Sequence, residues 1–507
     1  MRDTIELNKD VVINHKHQSA STRLILTYIF ALASSVVGFL IVVIFSGLLQ
    51  PDEWGVFSVA KRSATIIATI AIFGVTDSIS RYIPLQRARE SDNADYFGTN
   101  ATYIIIRSSC AVTVVWLLGV YVLSVTNLTD GSLLIALVSA TVFYLALMWH
   151  EFLSGFLRAE GFIGHFNVMR VMGQSMQLLF GLLILFLFGA SANKVILGSA
   201  LGIGVVVAVA AFILWRLGIT VYRKRYVNRE IRKEISTYGI PRMIMIMFEM
   251  LIISLSLLLL GFVGKPYEAG LFAISMHFIA IMVLFFKPIA FVMLPEFSKL
   301  HGMQDTGGIE NKLQILIQGW LYIITFTIVI ILSFLDVIFD LLFKVEYAGA
   351  TGFIKILLIG MIPFSFYLTT YSYINAILKR PYGLYILLIG IVVNIVLFFI
   401  LVTLLGGIGS AVATAVSMVV VGSLMVLLLL KNQPRVFRAI HVFDFIICIL
   451  PLAGILIASY FVYDIILLIG IAILFLGLHL YLLKKREIAW FALIEKRFFA
   501  WKMATKK

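Results

Sequence analysis

Glu53-Trp54-Gly55-Val56-Phe57-Ser58 recurs 215 residues further on as Glu268-Ala269-Gly270-Leu271-Phe272-Ala273. Each copy opens an apolar run about one helix long, and each run ends near a proline, Pro84 in the first case and Pro295 in the second. The spacing to the proline differs by four residues, so the two copies agree in part. A repeat at this distance means two copies of a multi-helix unit. The sequence on either side must then supply the helices.

It does. A helix that crosses a membrane needs about 20 mostly apolar residues. Working outward from the repeat, such runs are expected at 24–48, 56–80, 98–124, 132–156, 164–189, 195–217, 239–263, 269–294, 314–335, 350–376, 382–405, 407–430, 441–462 and 464–483. The composition agrees. Of 507 residues 61% are hydrophobic and 13% charged, and the mean hydropathy is +1.04. A soluble domain is about 45–50% apolar and about 25% charged. A soluble enzyme with a membrane anchor is therefore excluded. The expected fold is an all-α polytopic membrane protein with 14 transmembrane helices, as two pseudo-symmetric six-helix bundles plus two C-terminal helices. The expected division is an N-terminal bundle (1–220), a cytoplasmic basic linker (221–238), a C-terminal bundle (239–430), two added spans (431–483) and a tail (484–507). In the tail Trp490, Ile494, Phe498 and Trp501 share one face, which suits a helix lying on a leaflet surface.

Charge gives the orientation. The N-terminal segment, the tail and the loops on the same side carry 32 of the 40 Lys and Arg. The opposite loops carry only Lys194, Lys265 and Lys344, and five cations lie within spans. Basic residues stay on the cytoplasmic side, so both termini are expected in the cytoplasm of a cell-membrane protein. The net charge of +14 then reflects loops that meet an anionic inner leaflet, with no nucleic acid required. The first 23 residues lack the charged, apolar and small-residue order of a cleaved signal peptide. Cys110 and Cys448 both lie in apolar runs, which excludes a disulfide framework or a cysteine metal site.

Six spans repeated as six suggest a twofold axis along the membrane normal, the plan of secondary transporters that bind cargo between bundles. At this point the sequence resembles a family. Leu49-Gln-Pro-Asp-Glu-Trp-Gly-Val-Phe-Ser58, Phe73-Gly-Val-Thr-Asp77 and Arg81-Tyr-Ile-Pro84 are similar to the opening of polysaccharide exporters of the multidrug/oligosaccharidyl-lipid/polysaccharide (MOP, MATE-like) superfamily. Phe343-Lys-Val-Glu-Tyr-Ala-Gly-Ala350 and Gly407-Ile-Gly-Ser-Ala-Val-Ala-Thr414 follow in the same order. The resemblance covers nearly the whole chain. It implies a flippase that moves a polyprenyl-diphosphate-linked oligosaccharide, such as an O-antigen repeat unit, from the inner to the outer leaflet. The shared motifs are largely structural and carry over few functional residues.

The site must be read from polar residues inside the spans. A Lys, Arg or Asp at a helix centre costs about 2.5–3.5 kcal/mol on insertion scales, so it faces protein or a wet cavity. In span two Ser58, Arg62, Thr65, Thr69, Thr76 and Ser80 form one stripe, with Lys61 at its edge. In span five Asn167, Arg170, Gln174, Gln177 and Gly181 form another, and span three contributes Arg107. The candidate substrate-binding set is Lys61, Arg62, Thr65, Thr69, Arg107, Arg170, Gln174 and Gln177. Diphosphate calls for fixed positive charge, best from Arg, and sugar hydroxyls call for amides and hydroxyls. Helix packing, a buried ion pair or snorkelling would account for the same residues. Asp77 is expected to cap its helix or pair with Arg81.

In span seven Tyr238, Arg242, Met245, Glu249 and Ser256 share a face. Glu249 and His277, with Lys287 and Lys355, are the candidates for ion coupling, since a buried carboxylate or a histidine can titrate near neutrality. Proton and sodium are both open as the driving ion, and an ion pair between Glu249 and either lysine is the structural reading.

No phosphate loop, histidine-rich metal spacing or nucleophile–base pair is present in the sequence, so no enzyme activity, cofactor or metal is expected. The expected partners are the lipid-linked oligosaccharide and membrane lipids, with no nucleic acid, and the protein is expected to work as a monomer. The rival readings are a drug/cation antiporter of the same fold, which predicts an anionic cavity, and a lipid-linked peptidoglycan-precursor flippase. A membrane glycosyl- or acyltransferase would need longer catalytic loops than these.

Overall fold

The computed structural model describes residues 20–439, apart from 89–92, 127–128, 220 and 379, together with the isolated positions 470 and 477. The expected spans 441–462 and 464–483 and the amphipathic tail lie outside the described residues. Within them the chain is helical. The order is α1 (Ala20–Leu48), α2 (Pro51–Ile72), α3 (Val75–Ala88), α4 (Asn93–Thr126), α5 (Gly131–Ala159), α6 (Ile163–Phe188) and α7 (Ala192–Arg216). It continues with α8 (Arg229–Phe262), α9 (Pro266–Gly302), α10 (Thr306–Leu342), α11 (Ala350–Ile377), α12 (Tyr382–Leu405), α13 (Gly407–Asn432) and the short α14 (Pro434–Ala439). Twelve described helices are long and apolar enough to cross a membrane, and they correspond one to one with the first twelve expected spans.

The helices outrun the apolar sequence. α8 starts at Arg229, ten residues before the apolar run, because Asn228 accepts a hydrogen bond from Glu230 N and caps the helix inside the basic segment. Span two departs further from expectation, because it is two helices. Phe73 has φ +56° and Gly74 φ +68°, which ends α2 in the left-handed region before α3 begins. A left-handed phenylalanine is uncommon and needs surroundings that hold it. Here they do, since a Cβ on Gly74 would lie 2.0 Å from the Gly239 carbonyl oxygen of α8. The backbones meet where only glycine fits.

The chain divides into two compact units, residues 1–273 and 274–507, with the division inside α9. In the first, Gly202 of α7 sits against the Met176 carbonyl of α6, and Gly155 of α5 against Thr76 of α3. In the second, Trp320 of α10 donates to Ser365 Oγ of α11 at 2.8 Å. Asn394 of α12 donates to Thr414 and Ser417 of α13, both at 3.3 Å. Gly360 and Gly422 let α11 and α13 touch backbone to backbone. Small residues and buried amides replace a hydrophobic driving force between helices in an apolar medium.

Candidate functional site

The repeat is the natural starting point, because its two copies meet. A Cβ on Gly55 would lie 1.8 Å from the Pro266 carbonyl oxygen, and a Cβ on Gly270 would lie 2.7 Å from the Pro51 carbonyl oxygen. Pro51 and Pro266 keep the same offset as the two glycines, so the repeat is Pro-x-Glu-x-Gly and starts two residues earlier than its glutamates. The contact is reciprocal, as a local twofold requires. Trp54 strengthens it on one side by donating from Nε1 to Gly270 O at 3.2 Å, stacked on Phe57 with ring centroids 5.5 Å apart. Glu53 accepts from Ala192 N at 2.5 Å and so caps the positive end of α7.

From this contact α2 and α3 run along α8 to a second close approach. At its far end Gly74 and Gly239 touch, and Ser78 donates to Ile235 O at 3.0 Å. Of the polar stripe predicted on span two, Arg62 and Thr69 reach this seam, whereas Thr76 packs against Gly155 and Ser80 accepts from Arg158, both of α5. Arg62 Nη2 donates to Met250 O of α8 at 3.4 Å, and Thr69 Oγ1 contacts Met250 Sδ at 3.6 Å. Arg62 Nε is sealed from solvent and has no hydrogen-bond partner among the described residues. No ion pair to Arg62 or Lys61 occurs among those residues. Lys61 lies over the Phe57 ring, 5.6 Å from its centroid. Thr65 and Thr69 donate back to the carbonyls of Lys61 and Thr65 at 2.8 and 3.0 Å, which leaves their hydroxyl oxygens as acceptors.

The other candidates are dispersed. Gln177 is buried, and its Oε1 lacks a partner among the described residues. Gln174 lies beside Gly38 of α1, and Asn167 donates to Thr27 Oγ1 at 3.2 Å. These amides line the α1–α6 contact. Arg170 is exposed. Arg107 is exposed too, 3.2 Å from the Tyr103 hydroxyl, on the same stripe of α4 as Val114, Leu118 and Tyr121. No contact joins it to Arg62. Glu249 belongs to the first unit and His277, Lys287 and Lys355 to the second; all four are half-buried and none is without a partner.

Asp77 differs from expectation. Its partner is Arg158 of α5, 4.0 Å away. Arg81 turns instead to the rings of Tyr82 and Tyr238. No local pattern signals this pair, because Arg158 is 81 residues from Asp77 and an i,i+4 pair looks sufficient.

A family model described as polysaccharide biosynthesis protein matches residues 23–301, more than half of the 507-residue chain. The fold is similar to that of the lipid II flippase MurJ in an inward closed conformation, with a TM-score of 0.69 at 14% identity over 92% of this chain and 100% of that one. It is also similar to a multidrug resistance MATE family transporter of the MOP superfamily. The inward-facing conformation gives a TM-score of 0.63 at 17% identity, over 84% of this chain and 100% of that one. The outward-facing conformation gives 0.58 at 16% identity, over 84% and 99%. Comparison with curated protein sequences gives no match.

Proposed function

The chain belongs to the polysaccharide biosynthesis protein family, and from that premise we propose that it flips a polyprenyl-diphosphate-linked oligosaccharide from the inner to the outer leaflet of the cell membrane. The protein is a multi-pass membrane protein with a transporter fold. The observation that supports an anionic cargo is Arg62. It sits within an apolar helix, beside Lys61, with one guanidinium nitrogen unmet and no ion pair among the described residues. An unneutralised cation at membrane depth is costly, and a visiting diphosphate offsets that cost with two charges and several acceptor oxygens. The neighbouring Thr65 and Thr69 oxygens offer partners to sugar hydroxyls. A drug/cation antiporter would call for the opposite sign at this place.

In this reading the α2–α8 seam parts at one end at a time. The head enters from the cytoplasmic side, meets Arg62, and leaves outward, while the polyprenyl tail stays in lipid. The test is reconstitution of the full chain in vesicles with a polyprenyl-diphosphate oligosaccharide, read as exposure of the sugar to an added glycosidase. Arg62→Ala should slow exposure at least about tenfold, since charge-assisted contacts are worth about 1.5–3 kcal/mol each. Arg62→Lys should restore part of the rate, because it keeps charge and loses the fork. Equal rates for wild type, Arg62→Ala and empty vesicles would end the proposal.

A further inference from the structure

Beyond Arg62, a second cationic site stands at the Gly74 end of the seam. Arg81 of α3 and Arg242 of α8 both lie against Tyr238, their guanidinium carbons 4.5 and 4.9 Å from the same ring centroid. Tyr82 closes the group, edge-on to Tyr238 with centroids 5.9 Å apart and stacked on Phe97 at 4.9 Å. The platform is fixed at its base. Tyr238 precedes Gly239, whose backbone is pressed against Phe73 and Gly74, and Ser78 ties α3 to Ile235 one turn away.

Of the described acids nearby, three pair with other arginines and one bonds the platform itself. Asp77 goes to Arg158, Asp95 and Glu160 both go to Arg87, and Glu234 bonds the Tyr82 hydroxyl. Glu230 is exposed in the first turn of α8. Arg81 and Arg242 share one aromatic ring, and neither forms an ion pair among the described residues. Stacking on the ring holds each fork in place and leaves its N–H edge free to donate. An anion that approaches this ring therefore meets guanidinium groups from two helices.

We propose that Arg81, Tyr238 and Arg242 form a docking site for the diphosphate of a lipid-borne cargo, separate from and preceding Arg62. The inference rests on the flippase reading above. The basic loops put this end of the seam on the cytoplasmic side, where such a cargo is made. α2, α3 and α8 then carry cations at two levels, Arg81 and Arg242 at the mouth and Arg62 within. A phospholipid headgroup offers the same phosphate chemistry with a single charge, so the test must separate the two.

The experiment uses the full chain in phosphatidylcholine nanodiscs, with farnesyl diphosphate, farnesyl monophosphate and phosphatidylglycerol as probes, read by thermophoresis. Diphosphate should bind more tightly than the other two. Arg81→Ala with Arg242→Ala should weaken it at least about tenfold, and the two Arg→Lys changes should weaken it less. Tyr238→Ala should weaken it too, because the ring that holds both guanidinium groups is lost. Thermal unfolding of each variant separates lost binding from lost fold, and the Arg→Lys pair gives a second reading if the alanine pair does not fold. Full diphosphate affinity in the folded double variant, with loss in Arg62→Ala, would overturn this site and leave the flippase reading standing. Equal affinity for phosphatidylglycerol would overturn the assignment to cargo. No binding of any polyprenyl phosphate to the wild type, with flipping intact in vesicles, would also overturn the docking site. No binding together with no flipping would remove both.

Discussion

The two ends of the α2–α8 seam close in different ways. At the Pro51 end, two copies of one motif meet reciprocally, backbone on backbone, under a buried tryptophan and phenylalanines. At the Gly74 end the contact is equally tight but unsymmetrical, and arginines and tyrosines surround it. The first is a latch between equals, backbone against backbone. The second seals the backbone while presenting charge. Under the alternating access proposed above, this difference would let one end attract a polar head while the other releases it.

The strongest way to break the comparison is to put a methyl group into each latch. In Gly55→Ala the Cβ meets backbone 1.8 Å away, and in Gly74→Ala it meets backbone 2.0 Å away with φ at +68°. Neither neighbour is a flexible side-chain tip, so closure must fail. Overpacking costs about 1–3 kcal/mol, and the left-handed conformation adds about 1–2 kcal/mol at Gly74. Gly74→Ala should therefore have the larger effect. Gly47→Ala, with nothing within 4 Å, is the control and should do nothing. The measurement is the thermal unfolding midpoint, together with maleimide labelling of Ser58→Cys in a Cys110→Ala, Cys448→Ala background. Gly55→Ala should raise labelling and Gly74→Ala should not. Equal labelling in both would mean that the ends are not independent.

A smaller effect separates the ends by their hydrogen bonds. Trp54→Phe keeps a ring on Phe57 and removes the donor to Gly270 O, while Ser78→Ala removes the donor to Ile235 O. Each should cost about 1 kcal/mol, the net worth of such a bond, with more at Trp54 because indole area is lost as well. Unfolding midpoints of the two single variants and the double variant should add, since the sites share no partner. Non-additivity would show that the latches are coupled through α2.

The span pattern was legible because length and hydropathy alone decide which segments cross a membrane. The break at Phe73–Gly74 was not, because a lone glycine in an apolar run looks tolerated, and its reason lies 165 residues away at Gly239. Arg62 was legible as a buried cation, whereas its partner is a backbone carbonyl, which no side-chain pattern announces. Arg107 was read as an inward residue from apolar neighbours alone. Its stripe with Val114, Leu118 and Tyr121 is uniformly large and apolar, and an exposed face of that kind suits lipid better than a cavity. The reciprocal repeat was half visible in the Glu53 and Glu268 copies. Its mechanical role needed the prolines, whose carbonyls the glycines admit.

The smallest effect concerns a charge cluster beside the Gly74 end. Arg87 of α3 bonds Glu160 at 3.0 Å and Asp95 at 2.8 Å, and the Glu160 bond holds its guanidinium above the usual arginine range. A folded pKa above the unfolded one contributes stability that is complete below the unfolded value, so nothing is lost until far above neutral pH. Arg87 is about half-exposed, so water screens the interaction, and Arg87→Gln should cost under about 1 kcal/mol. It should leave farnesyl diphosphate binding unchanged. If Arg87→Gln weakens that binding as much as Arg81→Ala, the charge at this end acts as a diffuse field, and the contrast drawn with the Pro51 end rests on total charge and not on the two arginines stacked on Tyr238.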